Sequence, residues 1–119
     1  MTLAVNQLTF RSEVLESSKP VLVSFWAPWC GVCRFTQPML ADLQAEWGDQ
    51  IKLVNINADE NLALASSYRI TTLPTLILFD QGELLCRQEQ FRGRDDFRRA
   101  AAELQTMLKQ VNLSYSYSA

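Results

Sequence analysis

Two cysteines, Cys30 and Cys33, stand two residues apart in the stretch FWAPWCGVCRF at positions 25–35. The pair follows an apolar run of strand length and precedes a helical pattern, so Cys30 is expected at the amino end of a helix. The unpaired N–H groups and the partial positive charge at that end stabilise a thiolate, which lowers the pKa of a cysteine placed there. The position therefore predicts that Cys30 is a nucleophile.

Cys33 lies one helical turn after Cys30, on the same face of the predicted helix. We expect Cys33 to be more buried and to keep its proton longer than Cys30. This arrangement suits thiol–disulfide exchange in two steps, in which Cys30 attacks a substrate disulfide and Cys33 then attacks Cys30 to release the product. The chemistry needs no cofactor beyond the cysteine pair.

Two other interpretations of the cysteine pair remain open. CxxC is half of a zinc ligand set, but the chain has no histidine and one further cysteine, Cys86, which is most simply a small core residue. The second alternative is a buried structural pair, and Trp29 directly before Cys30 suits an exposed docking surface better than a core. We predict a redox pair and no metal site.

The composition is that of one globular domain without a strongly charged surface. The chain has 119 residues and a formal net charge of −2, which argues against nucleic acid as a partner because phosphate binding needs a basic surface. We interpret the most basic stretch, RGRDDFRR at 92–99, as a solvated helix start rather than an anion site. The polar tail at 112–119 is expected to fray.

The expected location is the cytoplasm. Residues 1–20 show no secretory signal, and no segment approaches the ~18 apolar residues of a membrane span. Three cysteines are too few, and odd in number, for a secreted disulfide scaffold. In a reducing compartment, close cysteine pairs are more often catalytic or metal-binding than structural.

The apolar patterns predict an α/β fold with the element order βαβαβαββα. Strands are expected at 2–5, 20–27, 51–57, 74–80 and 83–91, and helices at 8–17, 33–48, 59–70 and 94–111. The alternation of strands and helices favours a parallel sheet, and the DQG turn at 80–82 adds an antiparallel hairpin. We predict a mixed sheet of about five strands with helices on both faces.

Helical spacing predicts which side chains the helices bury. The expected buried faces are Leu8, Val14 and Leu15, with Phe10 beside them; Phe35, Met39, Leu43 and Trp47; and Phe97, Ala101, Leu104, Leu108 and Val111. Pro38 removes a backbone donor within the helix at 33–48 and predicts a kink there. Gly48 is expected to end that helix, and the acidic residues at 59–60 to open the next.

The stretches VSFWAPWCGVCRFTQP, YRITTLPTLILF and DQGE together resemble the thioredoxin family over roughly residues 5–110. The resemblance implies a single thioredoxin-like domain over 1–119 and a thiol–disulfide oxidoreductase that reduces protein disulfides. It also implies a separate thioredoxin reductase as the electron donor. We expect a monomer.

The same resemblance identifies Pro74 as a cis-proline that follows Leu73. A cis-proline turns the Leu73 backbone outward beside the thiols, where a substrate segment pairs with it as an added strand. An ordinary proline at the start of a strand is the alternative. The docking face for substrates is then expected to consist of Trp29, Gly31, Val32, Leu73 and Pro74.

Three residues depart from the family pattern and are expected to tune the redox chemistry. Val32 replaces the usual proline and leaves one more N–H near Cys30, which predicts a couple less reducing than the about −270 mV of thioredoxin. Ser24 and Asn55 stand where the family has a buried aspartate and its lysine partner, and losing both avoids an unpaired buried charge. Without the aspartate as a general base, we expect Cys33 to release the mixed disulfide more slowly.

A fourth departure and two functional alternatives complete the prediction. Gln90, preceded by Glu89, replaces a glycine beside the docking face, and its bulk is expected to narrow the choice of partners. One alternative function is a more oxidising disulfide oxidase or isomerase, which Val32 makes conceivable and the lack of an export signal argues against. The other is a redox-independent docking subunit, which the loss of the aspartate favours.

Overall fold

The computed structural model describes residues 2–118, with side chains described through Asn112. The strands are β1 (Thr2–Ala4), β2 (Val21–Trp26), β3 (Lys52–Asn57), β4 (Thr75–Asp80) and β5 (Glu83–Gln88). The helices are α1 (Thr36–Trp47), α2 (Leu62–Ser67) and α3 (Arg94–Ser118). Short helical turns cover Arg11–Leu15, Val32–Phe35 and Gly48–Gln50.

The five strands form one mixed sheet in the order β1-β3-β2-β4-β5. β3 runs parallel to both β1 and β2, whereas β4 is antiparallel to β2 and to β5. Residues 21–25 of β2 are all buried, as expected for the central strand of a sheet covered on both faces. The predicted α/β fold with a mixed sheet is confirmed.

Two apolar clusters cover the two faces of the sheet. Leu22 of β2 packs in one cluster with side chains of α1 and α3, among them Leu43 and Leu104. Its neighbour Val23 belongs to the other cluster, which includes Val14 and the partly buried Tyr68 at the end of α2. Because the side chains of a strand alternate between the two faces of the sheet, adjacent residues of β2 pack in different apolar clusters. The helices therefore lie on both faces, as predicted.

The helix predicted at 8–17 is too long, and the prediction that Leu8 belongs to its buried face is wrong. Only Arg11–Leu15 is helical, as a single π-type turn, and Leu8 is 89% exposed. The side-chain oxygen of Asn6 accepts hydrogen bonds from the N–H groups of Leu8 (2.8 Å) and Thr9 (3.1 Å). This local turn competes with the helix and directs Leu8 to solvent. Val14 is buried as predicted, with Phe10 beside it, and Leu15 is half-buried against the same cluster.

α1 begins later than predicted. A 3-10 turn at Val32–Phe35 precedes it, and Pro38 falls in the first turn of α1, where backbone N–H groups lack helical partners in any case. The proline is therefore accommodated at the junction of the two helical segments. Met39 and Leu43 are buried, and Phe35 and Trp47 are half-buried, as the spacing predicted. Gly48, with φ +53°, ends the helix as expected.

The predicted hairpin of β4 and β5 is confirmed. Gln81 and Gly82 both have positive φ, 53° and 80°, which is the geometry of a type I′ turn. A Cβ at Gly82 would lie 3.0 Å from the carbonyl oxygen of Leu15, so the turn also packs closely against the Arg11–Leu15 segment.

α3 buries the predicted residues and extends beyond the predicted end. Phe97, Leu104, Leu108 and Val111 are buried, and Ala101 is half-buried. The helix continues to Ser118, residue 119 lies outside the described residues, and fraying of 112–119 stays a prediction. Within residues 2–118, no helix is both long enough and apolar enough to cross a membrane.

Candidate active site

Cys30 and Cys33 are joined by a disulfide at the end of β2, with their Cα atoms 5.4 Å apart. Cys30 precedes the 3-10 turn that leads into α1, and Cys33 lies inside it, where its N–H donates a hydrogen bond to the Cys30 carbonyl oxygen (3.3 Å). Both cysteines are half-buried, so the pair is neither sealed in the core nor fully in solvent. A bonded pair at the start of a helical segment is the arrangement that dithiol–disulfide exchange requires.

Trp29 is held in place beside the disulfide although it is 70% exposed. Its indole Nε1 donates a 2.8 Å hydrogen bond to a carboxylate oxygen of Asp59. The sequence indicated that Asp59 opens a helix, and this interpretation was wrong, because α2 begins at Leu62. Asp59 follows β3 at the sheet edge where β2 also ends, since the two strands are parallel. The bond fixes a large exposed apolar ring next to Cys30.

The Leu73–Pro74 peptide bond is cis, as the resemblance implied. Pro74 is buried and Leu73 is half-buried against the cluster that contains Val23. Thr75 pairs with Phe25, so Pro74 adjoins the end of β2 from which the cysteine segment leaves the sheet.

Gly31 and Val32, the other two residues of the predicted docking face, differ in exposure. Gly31 is exposed, with no atom near the position of a Cβ, so a substrate backbone can approach it. Val32 is half-buried and packs against the cluster that contains Leu22, which leaves part of its side chain at the surface. The segment between the cysteines therefore presents one open position and one anchored position.

A cavity of about 350 Å³ lies under the disulfide. Cys30 and Cys33 line it together with Ser24 and Asn55, which are register partners on β2 and β3. The sequence prediction placed these four residues in one site, and the structure brings them together. Leu73 and Pro74 do not line this cavity.

Two further polar groups of the cavity were not found from the sequence. Thr36 is 4% exposed, and both its hydroxyl oxygen and the indole Nε1 of Trp26 are buried without a hydrogen-bond partner. Buried polar groups are almost always satisfied by protein or by ordered water. These two groups are isolated polar atoms of a cavity whose lining is mainly apolar, and its charged lining residue is a cation, Arg34.

The loop that follows β5 lies against the segment that precedes the cis-proline. Gln90 adopts φ +64°, a left-handed conformation in which glycine is favoured, and its N–H donates to the Thr72 hydroxyl (3.3 Å). Glu89 forms an ion pair with Arg87 (3.0 Å), whose guanidinium also donates to the carbonyl oxygen of Arg69 (2.7 Å). These bonds tie the loop to the segment that precedes the cis-proline.

Cys86 lies in the middle of β5 as a free, half-buried thiol opposite Leu78. Burial raises its pKa, the negative charge of Glu103 raises it further, and a hydrogen bond with the Leu78 backbone lowers it. The thiol is thus the protonated form at neutral pH, which fits a packing role. No set of three or more potential metal-ligating side chains was found in the described part of the chain.

Comparison with known proteins agrees with this geometry. The thioredoxin family model matches residues 1–110. Thioredoxin 1 of Synechococcus elongatus is 51% identical over 80 residues, covering 67% of this chain and 75% of that protein. The chloroplastic M-type thioredoxin of Chlamydomonas reinhardtii is 49% identical over 80 residues, which cover 67% of this chain and 57% of the relative. Thioredoxin of Mycolicibacterium smegmatis is 45% identical over 95 residues, covering 78% of this chain and 85% of the relative.

The family match extends through every strand and through most of α3, and the linked cysteines lie where the matched fold joins its central strand to a helix. The resemblance drawn from the motifs is therefore confirmed. The chain belongs to the thioredoxin family, and its activity is that of a thioredoxin-type dithiol–disulfide oxidoreductase.

Proposed function

We propose that the protein reduces disulfides of cytoplasmic proteins, with Cys30 as the attacking thiol and Cys33 as the resolving thiol. The observation that carries the assignment of roles is the position of the two residues. Cys30 lies just before the 3-10 turn, at the end of a helical segment where the first N–H groups lack helical partners, whereas Cys33 lies inside that turn. The charge of Arg34 in the same cavity further favours a thiolate.

The reaction proceeds in two exchange steps. The Cys30 thiolate attacks one sulfur of the substrate disulfide, and the other substrate sulfur leaves as a thiolate that takes a proton from water. Cys33 then loses its proton and attacks the Cys30 sulfur, which releases the second substrate sulfur and leaves the Cys30–Cys33 disulfide. Two electrons pass to the substrate, and a separate thioredoxin reductase returns them.

The proton of Cys33 passes to water in the cavity rather than to a carboxylate. Ser24 is neutral at physiological pH, and none of the described residues that line the cavity is acidic, so water is the base available to Cys33. Water is a weaker base than a carboxylate, so resolution by Cys33 is expected to be slow relative to attack by Cys30. Ser24 and Asn55 therefore tune the reaction by keeping the cavity uncharged on their side.

Substrates dock on Trp29, Gly31, Val32, Leu73 and Pro74. Trp29 supports this role as a large exposed ring fixed by Asp59, and Gly31 leaves open space for an approaching backbone. The segment before Pro74 lies outside β4, so its backbone is available for a substrate strand to pair with.

The partners are disulfide-containing proteins and the reductase, and the protein acts as a monomer in the redox homeostasis and electron transport of the cytoplasm. Membership of the thioredoxin family supports disulfide-containing proteins and a reductase as the partners.

Trapping with Cys33→Ser tests the assigned roles. This variant is expected to accumulate mixed disulfides through Cys30 with a model disulfide peptide and with cell proteins, all of them released by dithiothreitol. Cys30→Ser should trap none, and Cys86→Ser is the matched control, which should turn over like the parent protein. A single partner held whatever its oxidation state would favour the redox-independent docking subunit instead.

A further inference from the structure

A groove beside the disulfide runs between α1 and α3. Its volume is about 580 Å³, within the range of about 300–1,000 Å³ typical of ligand sites. Phe35 and Phe97 form part of an apolar floor, and Arg34, Arg94 and Arg98 form a basic rim. Arg34 also lines the cavity under the disulfide, so the groove begins at the active site.

Two guanidinium groups share one aromatic ring in this groove. The Cζ atom of Arg34 lies 5.0 Å from the centroid of the Phe35 ring, and that of Arg94 lies 5.6 Å from it. Both distances are within cation–π range, so both arginines are held over the ring. Through residue 112, no carboxylate forms an ion pair with either of them.

The acidic residues at the start of α3 are engaged elsewhere. Asp96 accepts a hydrogen bond from the N–H of Arg92 (2.7 Å) and pairs with Arg99. Asp95 lies 3.8 Å from Arg98 in a solvent-exposed pair. The basic stretch at 92–99 thus divides into a capped helix start and an arginine, Arg94, that faces the groove. α3 begins at Arg94, and all four arginines of the stretch are exposed, so the interpretation of the stretch as a solvated helix start is confirmed.

The groove is locally positive on a chain whose net charge is −2. Three arginines line it against a single acidic lining residue, Asp42; Arg98 is paired with Asp95, which leaves Arg34 and Arg94 without a counterion among the described residues. Like charges held close together without counterions repel each other, and a carboxylate seated between them removes that repulsion. The apolar floor favours a ligand that also carries an apolar side chain.

We propose that the groove docks a segment of the substrate protein in which carboxylates flank an apolar side chain, close to the disulfide being reduced. The carboxylates pair with Arg34 and Arg94, and the apolar side chain packs on Phe35 and Phe97. The proposal rests on the proposed attack by Cys30, because the groove selects among substrates that reach this thiol. Substrates that carry carboxylates near the disulfide are therefore reduced faster than substrates that lack them.

Three cyclic peptides test the proposal, each closed by the same disulfide and extended by the same leucine-containing segment. The segment carries glutamates in one peptide, glutamines in the second and lysines in the third. The readout is the ratio of kcat/KM for the glutamate peptide to that for the glutamine peptide, so changes in thiol chemistry common to both cancel. Each exposed ion pair contributes up to about fivefold, and the ratio should fall as ionic strength rises.

Substituted proteins test whether the groove causes the preference for the glutamate peptide. Arg34→Gln combined with Arg94→Gln should bring the ratio close to one, Arg94→Lys should keep part of it, and Asp42→Asn should raise it. Arg11→Gln combined with Lys19→Gln is the matched control, because it removes two exposed positive charges outside the groove. This control should leave the ratio close to that of the parent protein.

The outcomes distinguish failure of the docking proposal from failure of the proposed reaction. A ratio of one in the parent protein, a ratio that survives both groove substitutions, or an equal loss in the control pair would overturn the docking proposal. The salt dependence of the parent protein decides the question even where a variant fails to fold. Failure to reduce the glutamine peptide at all would instead contradict the attack by Cys30.

Discussion

Ser24→Asp tests whether the cavity under the disulfide lacks a general base. Ser24 is 3% exposed, so a carboxylate at this position would be buried beside the neutral Asn55. Desolvation disfavours the charged form and raises the pKa of the introduced carboxyl group. The variant should therefore hold this group protonated at neutral pH when folded.

The raised pKa has a calculable effect on stability. An unfolded aspartate ionises at a pKa of ~3.9, and each pH unit above this value costs the folded state about 1.4 kcal/mol for as long as its carboxyl stays protonated. The loss begins as pH rises through the unfolded pKa and reaches about 4 kcal/mol at pH 7. Since domains are stable by about 5–15 kcal/mol, the variant is expected to remain folded.

A second substitution should reverse much of this loss. Adding Asn55→Lys places an ammonium group on the neighbouring strand, about 5 Å away given the spacing of strands in a sheet. At an effective dielectric constant of about 20, this attraction amounts to about 3 kcal/mol before desolvation of the ammonium is counted. Asn55→Lys alone should destabilise the protein, because it leaves a partly buried charge unpaired.

The assay combines denaturant unfolding from pH 4 to pH 8 with the rate at which Cys33 resolves a mixed disulfide preformed on Cys30. In Ser24→Asp, resolution should accelerate only above the raised pKa of the new carboxyl, by on the order of 100-fold when it acts as a general base. With Asn55→Lys present, the acceleration should begin at lower pH. Ser24→Asn is the uncharged control and should show the parent's pH dependence.

Two results would refute the reasoning. If Ser24→Asp loses no stability relative to the parent between pH 4 and pH 8, the cavity accommodates a charge and burial does not govern its chemistry. If resolution fails to accelerate at any pH at which the carboxyl is ionised, proton acceptance from Cys33 does not limit release.

Three more predictions concern the turn, the last helix and the redox couple. Gly82→Ala should lower the free energy of unfolding by about 1–3 kcal/mol in denaturant titrations, because of the positive φ and the carbonyl oxygen it faces, whereas the unobstructed Gly93→Ala should cost less. The hydrogen bond from the Arg92 N–H lowers the pKa of Asp96, so Asp96→Asn should lower the thermal midpoint near neutral pH. The difference should begin to shrink as the pH falls below about 4 and should vanish only below the lowered pKa of folded Asp96. Val32→Pro removes an N–H near the thiols and should make the potential about 30–60 mV more negative in equilibrium with glutathione, and an unchanged potential would contradict this role of the N–H.

The elements that could be predicted are those whose signal is local. The apolar run at 20–27 identified β2, and the spacing of Met39 and Leu43 identified the buried face of α1. The failures also have local physical causes. Asn6 bonds to backbone N–H groups and leaves Leu8 in solvent, a competition between side chain and backbone that apolar spacing does not register.

The site shows the same division between local and tertiary signals. The cysteine motif placed the disulfide, and the resemblance placed the cis bond before Pro74. The bond from Trp29 to Asp59 depends on parallel strands ending at the same sheet edge, so it could not be found from spacing. Thr36 was missed because a single threonine at the start of a helix gives no sign that its hydroxyl is buried without a partner.

The departures at Ser24 and Asn55 are one feature of the fold, although they are distant in sequence. β2 and β3 pair these residues directly, and both line the cavity that contains the two sulfur atoms. A charge at either position alone would lack a charged partner, fully buried at position 24 and partly buried at position 55, so the two neutral residues are compatible with each other. The same neutrality removes the general base from Cys33 and leaves Arg34 as the charge in the cavity. In the proposed mechanism, this cavity therefore promotes attack by Cys30 more than release by Cys33, and separate measurement of the two rates tests that balance.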